Sequence, residues 1–129
     1  AASDVYKRQL LYRLGAFARA GLVLAAGSDA PYGVADPWAA MHAAVSRETP
    51  NGAVIGQDEA LTPEAALALY LADPLDLRRQ RSMVVGSPAD LCLLDRPWTQ
   101  ARDRLRAQDV AMTWIAGSVV HDRVDQTPA

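Results

Sequence analysis

The sequence predicts an α/β fold, a helix-and-strand portion followed by a β portion. Three observations carry this. The run Leu22-Val-Leu-Ala-Ala26 is apolar without alternation and is broken by Gly27 and Ser28, the pattern of a strand buried on both faces of a parallel sheet. Helical signals lie on both sides of it, with no room for a hairpin in front. From Ser82 onward the composition shifts towards short β-rich segments separated by turn residues. These shifts give an α/β part over about 10–80 and a β part over about 82–122.

Taken in order, Leu10, Leu11, Leu14, Phe17 and Ala18 recur at helical steps and predict an amphipathic helix, with Gly21 where a C-cap glycine belongs. The strand Leu22–Ala26 comes at once, and Gly27 reads as the residue that lets the chain turn where a side chain would obstruct it. Asp36-Pro37 is a helix start, a capping carboxylate followed by proline at the first helical position, and Trp38, Met41, His42 and Val45 continue the period to about Arg47. Residues 48–59 contain Pro50, Asn51-Gly52 and Gly56 and predict a loop. Thr62-Pro63 repeats the start signal before the helix-prone run Glu64–Ala72, which Asp73-Pro74 should stop. Asp76–Arg81 reads as a solvated basic connection. Met83–Val85 and Asp90–Asp95 predict strands, with a turn at Gly86-Ser-Pro88. Trp98–Ala107 fits a short helix or an ordered loop. Val110–Ile115, Ala116-Gly117 and Ser118–His121 predict a hairpin.

Composition narrows the function classes. The 129 residues suffice for one domain with a core. Half are hydrophobic, 22% are charged and the net charge is −2, an ordinary globular balance with no basic face for nucleic acid. No apolar run approaches the roughly 20 residues of a membrane span, and no basic-then-apolar leader opens the chain. A single cysteine, Cys92, excludes an internal disulfide framework and a Cys-based metal cluster. Cytoplasmic location is the default expectation. The chain opens without Met on Ala1–Gln9, a polar segment unlike the rest of the sequence. Residues 1–9 are read as a non-native or disordered start to a truncated gene product, and 124–129 as a disordered tail.

The candidate functional residue is Asp29. It falls just past the carboxyl end of the predicted buried strand, where α/β sheets and barrels gather ligands and catalytic groups. A carboxylate there serves as a metal ligand or a proton shuttle; equally, Ser-Asp-Ala-Pro is a sequence in which Asp caps a turn. His42 stands alone on its helix, without a second ligand at metal spacing. His121 and Cys92 read as structural, Cys92 as a small hydrophobe in a buried strand. Arg47 complements the negative end of its helix dipole. Arg78, Arg79 and Arg81 read as a solvated link. Trp38, Trp98 and Trp114 are too scattered to form a stacking surface. There is no G-x-S-x-G, P-loop, dinucleotide fingerprint or H-x-H pair.

An ordered set of segments carries a resemblance: Ala26-Gly-Ser-Asp-Ala-Pro31, Asp36-Pro37, Ala43-Ala-Val-Ser-Arg47, Leu61-Thr-Pro-Glu-Ala-Ala-Leu67, Gly86-Ser-Pro-Ala-Asp-Leu-Cys-Leu-Leu-Asp95 and Val110–Gly117. From about Leu10 to Arg123 the chain resembles the C-terminal portion of metal-dependent amidohydrolases, in the branch of N-substituted formamide deformylases and D-aminoacylase-like enzymes. The resemblance implies a (β/α)8 TIM-like barrel fragment over 10–81, with Leu10–Ala20 as its seventh helix, Leu22–Ala26 as its last strand and the two Pro-started helices closing it. Residues 82–123 would then belong to a small β-sandwich. It also implies hydrolysis of carbon–nitrogen bonds in small amide or formamide substrates. Asp29 would be both metal ligand and general base at a divalent metal site, with zinc as the expected metal and one or two ions, and Ser28 and Ala30 would shape the pocket wall. The family's His-x-His pair and further ligands have no counterpart in this sequence, so the chain alone is expected to be inactive and poorly soluble. No nucleic acid or membrane partner is implied, and a homo-oligomer of the full-length protein is compatible with the resemblance. Two alternatives stay open: a non-catalytic α/β module mediating assembly, and a barrel hydrolase or deaminase of another reaction.

Overall fold

The computed structural model describes residues 11–123; the predicted non-native start (1–9) and disordered tail (124–129) lie outside the described residues. Helix α1 (Leu14–Arg19) is shorter than its periodicity suggests, and Leu11 and Phe17 are exposed. Its end is as predicted. Gly21 takes φ 72°, and the Gly21 and Leu22 amides donate to the Ala18 and Phe17 carbonyls at 3.0 and 3.1 Å. This pair of bonds closes the helix through a left-handed residue. Gly15, buried, lets α1 approach a 3-10 turn at Gln57–Glu59: a Cβ there would sit 3.0 Å from the Glu59 Cα.

Helix α2 (Pro37–Ser46) starts at Asp36, whose Oδ1 accepts from the Trp38 and Ala39 amides at 2.8 and 3.3 Å. Helix α3 (Pro63–Leu71) starts at Thr62, whose Oγ1 accepts from the Ala65 amide at 3.1 Å. Both starts are complete within four residues, which is why the sequence displays them.

A two-stranded antiparallel ribbon comes next, β1 (Ala72–Asp73) with β2 (Asp76–Gln80). The sequence pattern over Asp76–Arg81 suggests only an irregular connection. The residues are indeed solvated, all five of β2 being exposed, and Asp73 is ion-paired to Arg79. Met83–Val85, predicted as a strand, is irregular and exposed. Its β-forming residues have no neighbouring strand among the described residues, and β propensity expresses itself only against a partner.

The last part is an antiparallel sheet in the order β3-β4-β5: β3 (Leu91–Leu94), β4 (Val110–Ile115) and β5 (Ser118–Asp122). The short helix α4 (Trp98–Ala101) and a 3-10 turn at Ala107–Asp109 link β3 to β4. Ala116 and Gly117, both at positive φ, make the predicted tight turn. Asp90 secures it, its Oδ1 accepting from the Ala116 amide at 2.8 Å while its Oδ2 accepts from Arg81 at 3.0 Å. Leu91, Leu93 and Val119 stay exposed on this sheet. Cys92, expected in a buried strand, is exposed as a residue, with only its thiol partly covered beside Thr113 of β4.

One core joins the parts. Trp38 and Met41 of α2, Leu61, Ala66 of α3, Leu105 and Val110 are buried together, with Leu94 and Trp98 packed against them. Asp109 is buried at 1% exposure between Arg96 and Arg104, each 3.3 Å from its Oδ1.

The largest departure from expectation concerns Leu22–Ala26. The run is irregular rather than a strand, and Leu22 and Val23 are 55% and 40% exposed. The Ala26 amide donates to the Leu69 carbonyl at 3.1 Å, but no strand pairs with the run among the described residues. A parallel strand needs hydrogen-bonding neighbours on its edges, and local sequence cannot substitute for them. Both sheets that do form are antiparallel.

Candidate functional site

Asp29 lies at the end of the exposed run and opens a tight turn. Its backbone adopts φ 54°, in the left-handed region that Asp tolerates better than most residues. Its carbonyl accepts from the Tyr32 and Gly33 amides at 2.8 and 3.0 Å. Ser28 supplies the side-chain contribution, its Oγ accepting from the Ala30 amide at 3.3 Å. The turn depends on Gly33, where a Cβ would lie 2.2 Å from the Ser28 carbonyl oxygen. Gly27 carries no such demand: a Cβ there would meet nothing within 4 Å. The glycine that the fold requires at this site is thus the one after Asp29, not the one before it.

The Asp29 side chain is exposed, and its carboxylate makes no hydrogen bond or ion pair among the described residues. The turn-capping role is therefore filled by Ser28 rather than by Asp29. Among the described residues no three His, Cys, Asp or Glu side chains converge as a metal cage. A zinc-type centre takes roughly three or four protein donors, so the described residues do not fit such a centre by themselves.

The remaining candidates lie apart from Asp29. His42 is exposed on α2. His121 is half-buried in β5 opposite Thr113. Partial burial pushes the Cys92 thiol up, a hydrogen bond with the Thr113 side chain opposing this. Trp38 is in the core, Trp98 donates to Glu64 at 3.1 Å, and Trp114 lies in β4, so the three form no common surface.

Arg47 does more than its helix-end position suggests. It is buried, at 7% exposure, with φ 59°. Its Nε donates to the Ile55 carbonyl and one terminal nitrogen to the Leu11 carbonyl, both at 2.9 Å. It borders a cavity of about 470 Å³ between residues 25–27, α2 and α3, whose walls also include Tyr70. The Tyr70 hydroxyl is buried without a hydrogen-bond partner, and burial and then the Asp36 charge hold its ionisation above the ordinary tyrosine range. No spacing pattern in the sequence distinguishes Tyr70 from its helical neighbours. Among the described residues no helix is long and apolar enough to cross a membrane.

Comparison with known proteins agrees with the ordered motifs. The profile of the amidohydrolase family matches residues 4–121. An N-substituted formamide deformylase from Arthrobacter pascens is 35% identical over 109 residues, which cover 81% of this chain and 20% of that protein. The chain thus spans about a fifth of the length of the curated relative it matches. No solved structure matches it. With the profile covering nearly all of the described residues, the chain belongs to the amidohydrolase family.

Proposed function

We propose that this chain is the C-terminal portion of a hydrolase that cleaves non-peptide carbon–nitrogen bonds in small amides or formamides, and that Asp29 is its proton-handling carboxylate. The observation that carries the reading is the pairing of family membership with an uncommitted, solvent-facing carboxylate held by a built turn. In this reading Leu22–Ala26 is the last strand of a (β/α)8 barrel, residues 10–81 complete that barrel, and residues 82–123 enter a β-sandwich. The exposed run and the exposed apolar residues of the β3-β4-β5 sheet then take their neighbours from the rest of a longer polypeptide. The similarity to a formamide deformylase over a fifth of its length supports that extension.

The chemistry asked of Asp29 is general acid–base work. As carboxylate it accepts a proton from the water that attacks the amide carbon. As carboxylic acid it returns that proton to the departing nitrogen, which leaves as an amine. The left-handed turn fixes the Asp29 backbone, and its side chain is not engaged elsewhere among the described residues. The reading also takes Asp29 as one ligand of a divalent ion, zinc by preference, with the other donors outside the described residues. The chain by itself is inactive on this view.

The test is made on the full gene product, with formate or amine release from N-substituted formamides and simple amides as the assay. Asp29→Asn is expected to lower kcat by about 10²–10⁴-fold, the usual contribution of a positioned acid–base group, without loss of fold by circular dichroism. Full activity of Asp29→Asn with its metal content unchanged would remove Asp29 from the chemistry.

A further inference from the structure

The 48–54 loop carries the only asparagine in the sequence, Asn51, and a glycine follows it. Both residues are exposed at the loop tip. Pro50 and Asn51 form the centre of a tight turn, in which the Gly52 amide donates to the Thr49 carbonyl at 2.8 Å. The Thr49 Oγ1 accepts from the Ala53 amide at 3.0 Å. Along the chain, the Asn51 side-chain amide carbon and the Gly52 main-chain nitrogen have the spacing that closes a five-membered ring. Glycine puts no side chain in the way of that closure, and a Cβ built on Gly52 would meet nothing within 4 Å. The tip can open without the loop base, because the base is fastened separately through Arg47 and Ile55.

We infer that Asn51 is a site of spontaneous covalent modification, deamidation to aspartate and isoaspartate, and that the turn held by Thr49 is its brake. The Gly52 nitrogen, having lost its proton to hydroxide, attacks the Asn51 side-chain carbonyl carbon. A nitrogen–carbon bond forms to that carbon, the side-chain carbon–nitrogen bond breaks, and ammonia leaves with a proton from water. The cyclic imide that results is opened by a second water. Cleavage of the new bond gives aspartate; cleavage of the original main-chain bond gives isoaspartate, with the main chain rerouted through the side chain. Nothing is oxidised or reduced, and water is the co-reactant. While the Thr49 carbonyl holds the Gly52 hydrogen, the nitrogen keeps its proton and cannot attack, so the reaction passes through the opened turn. Either product adds a negative charge to the tip, and isoaspartate also adds a main-chain carbon. No aspartate in the sequence precedes a glycine, so within this chain the isoaspartate signal belongs to Asn51. The site stands or falls apart from the hydrolase reading.

The experiment incubates the native full gene product in mildly alkaline buffer beside a synthetic peptide of residues 46–56. Samples are digested, and the peptide that contains Asn51 is followed by chromatography and mass spectrometry. Aspartate and isoaspartate forms are expected to accumulate in both, more slowly in the native protein by about tenfold or more, the effect of two hydrogen bonds that must open. Thr49→Ala removes one of those bonds and should speed conversion in the native protein by about fivefold, while leaving the peptide's rate nearly unchanged. Asn51→Gln should stop it. No conversion at Asn51 in the native protein after about a hundred half-lives of the peptide would overturn the site. Native conversion as fast as that of the peptide, or a Thr49→Ala protein no faster than the wild type, would overturn the brake.

Discussion

Replacing Gly33 by Ala is the sharpest probe of the turn that presents Asp29. The added Cβ would lie 2.2 Å from the Ser28 carbonyl oxygen, a main-chain atom with no side-chain freedom to escape. Ordinary contact begins near 3.5 Å, so the two must separate by about 1 Å. The movement falls on the turn closed by the Tyr32 and Gly33 amides on the Asp29 carbonyl. Losing both hydrogen bonds costs about 2 kcal/mol, and retaining them instead stores backbone strain of about 1–3 kcal/mol. Because the turn is exposed, it can open locally, which limits how much of this reaches global stability. Two readouts are therefore needed, the urea midpoint and the amide NMR spectrum. Gly33→Ala should shift the signals of residues 28–33 and lower the midpoint. Gly27→Ala, whose Cβ meets nothing within 4 Å, should leave both nearly unchanged. In the full gene product, displacing Asp29 by about 1 Å should reduce kcat by about 10²-fold if Asp29 does the proposed chemistry. If Gly33→Ala leaves signals and midpoint as they were, or Gly27→Ala is equally damaging, the steric account of this turn is wrong.

Two carboxylates outside the turn give further outcomes. Asp36→Ala removes the acceptor for the Trp38 and Ala39 amides and should cost about 1 kcal/mol in urea unfolding, while Asp36→Asn recovers most of it. For Asp95, the hydrogen bond from Arg96 and then that from Arg123 hold its carboxyl at about 2, below the ordinary carboxylate range. Its stabilising contribution is thus fully present above the unfolded value of about 4 and is lost as pH falls through about 2. The gap between wild type and Asp95→Asn in urea midpoint should be constant from pH 7 to about 5 and close towards pH 2; a gap that persists well below the folded value would show that Asp95 acts by some other route.

Whether a feature is legible in the sequence depends on how far its causes lie along the chain. The Asp36-Pro37 and Thr62-Pro63 helix starts, the Gly21 helix end and the Ala116-Gly117 turn each rest on contacts within a few residues, and each can be read directly. The strands of the β3–β5 sheet are legible because their partners lie nearby in the same chain. Leu22–Ala26 has strand composition but no strand beside it among the described residues, and Met83–Val85 is in the same position. The ribbon β1–β2 escapes a sequence reading because the residues of β2 are mostly polar and all solvated, so no buried face imposes an alternation. Asp29 stands out by position alone, but its dependence on Gly33 arises from a main-chain approach that no residue pattern announces. The burial of Arg47 is likewise a tertiary fact: one of its acceptors, Leu11, is 36 residues away.

The hydrogen bonds around Arg47 also say where this chain tolerates insertion. The Arg47 side chain donates to the Ile55 carbonyl and the Ile55 amide to the Arg47 carbonyl, each at 2.9 Å, while the Thr49 amide reaches the Ala53 carbonyl at 2.9 Å. The base of the 48–54 loop is therefore fastened from both sides, and an insertion at the exposed tip gives up only the turn closed on Thr49, where the Gly52 amide donates to the carbonyl at 2.8 Å and the Ala53 amide to Oγ1 at 3.0 Å. Lengthening such a tip adds only the slowly growing entropy of a larger closed loop. Related chains can be expected to vary in length here, and a tag or a protease site placed between Asn51 and Gly52 would leave the two flanks joined after cleavage.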